Sequence, residues 1–167
     1  MKRDFKKYLN PYFIETGSYK GEGIQAALDA GFERIHSFEK SEKYYDLCKA
    51  RFSKCPNVSL WFGDSIEWLP IALKGVFKPC TFWLDAHYSG GDTAEGGTPI
   101  LKELEIITQR IGLKLNIIEG DIILIDDMRL YRKGWDGITD KDIEKALVGY
   151  DISYEYGVVE NDILVAR

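Results

Sequence analysis

Apolar and polar positions along the chain follow two periods, and the period switches repeatedly. Short runs of strand formers stand at 11–16 (PYFIET), 34–39 (RIHSFE), 57–64 (NVSLWFGD), 80–85 (CTFWLD) and 121–127 (DIILIDD). Between them the spacing lengthens to that of an amphipathic helix. GEGIQAALDAG (21–31) puts Ile24, Ala27 and Leu28 on one face and stops at Gly31. SEKYYDLCKARFSK (41–54) opens on Ser41, a good N-cap, and spaces Tyr44, Leu47, Cys48 and Phe52 helically. SIEWLPIAL (65–73) is a short helix that Pro70 would distort. TPILKELEIITQRIG (98–112) carries the clearest stripe, Ile100, Leu101, Leu104, Ile107 and Ile111, with Thr98 placed to cap it and Pro99 at the first helical position. TDKDIEKALVG (139–149) is the last helix, and ISYEYGVVENDILVAR (152–167) reads as two strands around a turn near Glu160, Asn161 and Asp162.

Strand and helix therefore alternate until a closing strand pair. That order predicts an α/β, doubly wound, mostly parallel sheet of seven strands, helices on both faces and an antiparallel C-terminal edge hairpin. In such sheets a ligand sits outside the carboxyl ends of the strands, near the switch in strand order. Residues 1–10 read as an N-terminal extension and 11–167 as one domain, a size that supports a single core. The segments expected to move are the first ten residues, 88–97 and 129–139.

Composition changes this picture little. The net charge of −5 gives no reason to expect nucleic acid as a partner, and no apolar run approaches membrane-span length. The start, MKRDFKKYLNPYF, is basic without the apolar stretch of a secretory signal. Cys48, Cys55 and Cys80 lack metal-type pairing, so free thiols in a reducing, cytoplasmic setting are expected.

The chemistry lies at the strand ends. The first ends in Glu15-Thr16-Gly17-Ser18-Tyr19-Lys20-Gly21, a glycine turn beside a helix start. An acid two residues before Gly17 would repel a pyrophosphate and suits a cationic ligand. The second ends at Glu39, about twenty residues on, where an acid takes two ribose hydroxyls or simply precedes the helix at Ser41. The third ends in Gly63-Asp64-Ser65, which either meets an adenine amino group or caps the next helix. The fourth ends in Asp85-Ala86-His87 and the fifth in Asp126-Asp127. Carboxylates converging from neighbouring strands repel one another unless a cation sits among them, and an all-oxygen donor set points to a hard divalent ion.

The segments FIETGSYKGEG, SFEKSE, FGDS, FWLDAHYSGGDT and IILIDDMRLY, in that order at successive strand ends, resemble class I S-adenosylmethionine-dependent methyltransferases, which are Rossmann-like. Within them the chain looks most like metal-dependent sugar O-methyltransferases of the macrocin type, over roughly residues 12–167. The resemblance implies that Glu15, Gly17, Ser18 and Gly21 lie at the methionine part of the cofactor, Glu39 at its ribose, and Asp64 and Ser65 at its adenine. It implies Asp85, Asp126 and Asp127 as ligands of Mg²⁺ or Mn²⁺. His87 stands where the sugar enzymes carry an aspartate proposed as base, and the N-terminal helices that help lid the site in larger relatives are not seen here. A lid would come from 88–97, from 129–138 or from a partner subunit.

The implied reaction transfers a methyl group from S-adenosylmethionine to a hydroxyl of a sugar or glycan. A hydroxyl made more acidic beside the ion would give its proton to His87, which titrates near neutral pH, with Asp85 beside it in the catalytic pair. Tyr88, Arg129, Tyr131, Arg132 and Trp135 are candidate substrate contacts; singly, the aromatics read as packing and the arginines as solvated surface. The competing readings are an O-methyltransferase for a catechol-like or other small diol, and a non-catalytic adenosine- or NAD-binding module. Neither nucleic acid nor a membrane is expected as a partner, whereas a homo-oligomer is compatible with the sequence. His36, inside the second strand, reads as structural.

Overall fold

The computed structural model describes residues 3–86, 97–111 and 120–167. His87, Tyr88, Gly90, Gly91 and Gly96 lie outside the described residues. The elements are β1 (Tyr12–Thr16), α1 (Glu22–Ala30), β2 (Arg34–Glu39), α2 (Glu42–Arg51), β3 (Val58–Phe62), α3 (Ser65–Ala72), β4 (Cys80–Leu84), α4 (Ile100–Ile111), β5 (Ile122–Ile125), α5 (Met128–Tyr131), α6 (Asp140–Ala146), β6 (Ile152–Glu155) and β7 (Ile163–Ala166). They form a seven-stranded sheet in the order β3-β2-β1-β4-β5-β7-β6. β1 to β5 pair in parallel, and β7 runs antiparallel between β5 and β6. The doubly wound sheet and its antiparallel edge are thus as the sequence predicts, and the order reverses between β1 and β4.

Residues of one strand alternate between two cores because side chains project to opposite faces. Ile14, Phe38, Phe82, Leu84 and Ile123 pack with α3, α4 and α6 on one side. Phe13, Ile35, Trp83 and Leu124 pack with α1, α2 and the N-terminal segment on the other. Continuing that alternation sends Glu15, Asp85 and Asp126 to the same side as Phe13, Trp83 and Leu124.

The N-terminal segment is part of the core, against the expectation of a mobile extension. Phe5 and Tyr8 are buried around a short 3₁₀ turn, Lys6–Tyr8. The Phe5 ring lies 4.9 Å from that of Phe13 and 5.1 Å from that of Trp83. Asn10 Nδ2 donates to the carbonyls of Cys80 (3.1 Å) and Gly120 (2.9 Å), pinning the segment beneath β4.

Two local expectations change. Helix α4 begins at Ile100, and the hydroxyl of Thr98 pairs with Tyr131 Oη at 2.8 Å instead of capping it. Leu47, expected on the buried face of α2, is 41% exposed. His36 takes a structural place: it accepts from Trp61 Nε1 at 3.1 Å and stacks between Tyr12 and Trp61. The three cysteines are free thiols, and no helix among the described residues is long and apolar enough to cross a membrane.

Candidate functional site

At the switch point the chain turns tightly out of β1. Gly17 sits at φ +85°, and a Cβ there would lie 2.7 Å from the carbonyl oxygen of Asp85, so only glycine lets this turn press against the end of β4. Gly23, at the start of α1, packs onto Glu15: a Cβ would fall 1.7 Å from Glu15 Oε1. Gly21, at φ +81°, is the N-cap position of α1.

Glu15 is fully enclosed. Ser37 Oγ donates to its Oε2 at 2.5 Å, and Ser18 Oγ lies 2.5 Å from Ser37 Oγ. Burial pushes the Glu15 carboxyl up to about 8, with the Ser37 hydrogen bond opposing and the nearby Asp85 adding to it. Glu39 ends β2 and accepts Tyr19 N (2.8 Å) and Ser41 N (2.7 Å), one on each oxygen. A carboxylate offers about four acceptor positions, so two remain for hydroxyls such as those of a ribose.

Asp64 caps α3 by accepting from Ile66 N at 3.0 Å and also pairs with Lys40 at 3.1 Å. Its neighbour Ser65 turns inward and donates to Glu103 Oε1 at 2.5 Å. Glu103 is buried on α4, and burial raises its carboxyl to about 7 despite the Ser65 hydroxyl. Its place was open to inference, because positions 100, 103, 104 and 107 share one helical face and Glu103 is the acid on it.

Asp85 and Asp126 meet at a single cation. Arg3 Nη2 lies 2.5 Å from Asp126 Oδ2 and 3.2 Å from Asp85 Oδ2, with the guanidinium carbon 4.5 Å above the Trp83 ring. The Asp126 carboxyl is raised above its ordinary range by burial, against the pull of Arg3. Asp127 follows at φ +59°, a conformation more tolerated by Asp than by most side chains, and its amide donates to Asp126 Oδ1 at 2.9 Å.

The metal ligands expected from sequence are only partly gathered. Asp126, Asp127 and Asp162 each offer an oxygen within 4.8 Å of the others, and Asp85 is not in that group. Asp162, at the turn before β7, was not anticipated. It is fully buried and accepts Arg129 N and Val158 N, both at 3.0 Å, while Arg129 Nη1 bridges it to Asp127. Asp162 therefore closes the β6–β7 turn onto α5.

The substrate candidates found here have internal partners. Arg129 is held by Asp127 and Asp162, and Arg132 donates to the carbonyl of Asn161 and lies over the Tyr154 ring. Tyr131 is buried against Thr98, and Trp135 packs on the α3–α4 side of the core. Arg3, Glu22, Gln25, Ala26, Asp126 and Val158 line part of an open cleft of about 430 Å³ beside the aspartates.

No protein-family model and no curated protein matches the sequence. Solved structures do match. The SAH-bound methyltransferase PaMTH1 of Podospora anserina aligns at TM-score 0.67 and 17% identity, covering 98% of this chain and 74% of that one. The O-methyltransferase TomG of Streptomyces achromogenes, involved in tomaymycin synthesis and solved with SAM, aligns at 0.64 and 13%, covering 97% and 74%. A Bacillus cereus O-methyltransferase in complex with SAH gives 0.60 and 15%, covering 97% and 76%. At these identities the likeness establishes architecture: the chain has the class I methyltransferase fold.

Proposed function

We propose that this chain is an S-adenosylmethionine-dependent O-methyltransferase acting on a hydroxyl of a sugar or glycan, with Mg²⁺ or Mn²⁺ as a second cofactor. The observation that carries the reading is Glu39 at the end of β2, which keeps acceptor positions beside the tight Gly17 turn at the switch point, next to the buried Glu15. The bound structures of PaMTH1, TomG and the Bacillus cereus enzyme support it.

S-adenosylmethionine supplies an electrophilic methyl group. In this reading Glu39 takes the ribose hydroxyls, Gly17 and Ser18 lie along the methionine part, and the Asp64–Ser65 corner lies at the adenine, with the Ser65 hydroxyl already directed to Glu103. Mg²⁺ or Mn²⁺ would be held by Asp85, Asp126 and Asp127 and would make an acceptor hydroxyl more acidic. Two members of this donor set already meet at a cation, because Asp85 and Asp126 share the Arg3 guanidinium, and Asp127 offers an oxygen within 4.8 Å of one of Asp126. His87, two residues beyond Asp85 in sequence, would take the proton, and the protein's main contribution would be to hold acceptor and methyl donor in line.

The test is transfer of a labelled methyl group from S-adenosylmethionine to a panel of sugars and catechol-like diols, with Mg²⁺ and with EDTA. Sugar methylation that stops in chelator and returns with Mg²⁺ is expected. His87→Ala should lower kcat by roughly 10²–10⁴-fold and leave cofactor binding intact. Transfer to catechols alone would move the acceptor class, and full activity in EDTA would remove the ion.

A further inference from the structure

Arg3 holds the place that a divalent ion shared by Asp85 and Asp126 would take. One guanidinium nitrogen lies within hydrogen-bond reach of both Asp85 and Asp126. A divalent ion of Mg²⁺ size needs oxygens at about 2.0–2.1 Å, so an ion shared by these same oxygens would overlap that nitrogen. We propose that Arg3 is a built-in competitor for the divalent ion: it neutralises Asp85 and Asp126 in the ion-free protein and withdraws when an ion binds.

This inference rests on the metal reading of the site, and three observations support it. Two carboxylates brought together at adjacent strand ends call for a counter-charge, and among the described residues Arg3 bridges this pair. The segment can release its tip without opening the core, because Phe5 anchors it against Phe13 and Trp83 while the Arg3 side chain is 33% exposed. The guanidinium also borders open space: Arg3 and Asp126 line the same cleft of about 430 Å³ as the acid Glu22. Arg129 differs in its anchoring. It ties Asp127 to the fully buried Asp162, and its own backbone amide is bonded there too, so it stays in place.

A competitor that occupies the site in nine molecules of ten lowers apparent ion affinity about tenfold. Calorimetric titration of the full chain with Mg²⁺ and with Mn²⁺ should therefore show Arg3→Gln binding about tenfold or more tightly than wild type. Arg3→Lys, which keeps a charge but loses the planar fork, should fall between them. Thermal midpoints without ion confirm that the variants fold. The Arg3 Nε–H signal in the NMR spectrum of wild type, assigned by its loss in Arg3→Gln, should shift on adding Mg²⁺. Equal or weaker affinity in Arg3→Gln overturns the competition. If that equal affinity disappears in Asp126→Asn, the ion site stands and Arg3 is only an ion pair. If neither wild type nor Arg3→Gln takes up an ion, the competition and the metal reading both fall.

Discussion

At the amino end of β4 and β5, Asp121 accepts Cys80 N at 2.7 Å and Arg110 Nη1 at 2.5 Å, and Arg110 Nη2 donates to the carbonyls of Val76 and Lys78. Both side chains are nearly inaccessible, at 7% and 2%. At the carboxyl end of the same strands lie Asp85, Asp126 and Asp127, and among the described residues Arg3, 33% exposed, and Arg129, 30% exposed, reach these aspartates. One end matches an acid to a base and closes over them. The other leaves its aspartates and their arginines partly open to solvent beside a cleft. Acids therefore mark structure at one end of the sheet and candidate chemistry at the other, and the difference lies in how far each is closed from solvent.

The largest effect is expected from breaking the closed end. Arg110→Met leaves Asp121 buried without its counter-charge and should cost about 3–5 kcal/mol in urea unfolding, with S-adenosylmethionine affinity of the folded fraction unchanged. Breaking the open end should do the reverse. Glu39→Ala removes acceptors worth about 1.5–3 kcal/mol when charged, so cofactor affinity by calorimetry should fall roughly ten- to hundredfold, with a smaller loss of stability from the freed Tyr19 and Ser41 amides.

A pH scan sharpens the comparison. Glu15 is pushed by burial from 4.5 to about 8 and Glu103 from 4.5 to about 7. Over that window the native state holds protons that the unfolded chain has lost, so these groups favour folding below about 4.5 and lose that contribution as pH rises through 7 and 8. The thermal midpoint of the ligand-free protein should fall from about pH 5 to about pH 8. In Glu15→Gln and in Glu103→Gln the fall should be shallower. The smallest effect belongs to the exposed pair at 3.1 Å between Lys40 and Asp64. Lys40→Ala should change unfolding free energy by less than about 1 kcal/mol.

Much of this site was legible in the sequence because it depends on strand ends. β2 spans the predicted residues, and Glu15, Glu39, Asp85 and Asp126 fall where each apolar run stops. What escaped depends on long-range contact. Arg3 is 82 and 123 positions from its partners, and Asp162 is 33 from Arg129, so no local period announces either. Helix α5, Met128–Tyr131, is too short to show a repeat. The docking of residues 3–10 had a weak signal in Phe5 and Tyr8, three apart in a basic stretch, but the pockets they fill belong to β1 and β4.

S-adenosylmethionine is proposed to bind at the switch point with its ribose on Glu39. Calorimetry of the ligand-free chain with S-adenosylmethionine and with NAD tests it most directly. Binding of S-adenosylmethionine that weakens in Glu39→Ala, with no heat from NAD, is the predicted result. Absence of S-adenosylmethionine binding, or NAD binding that depends on Glu39, would contradict it.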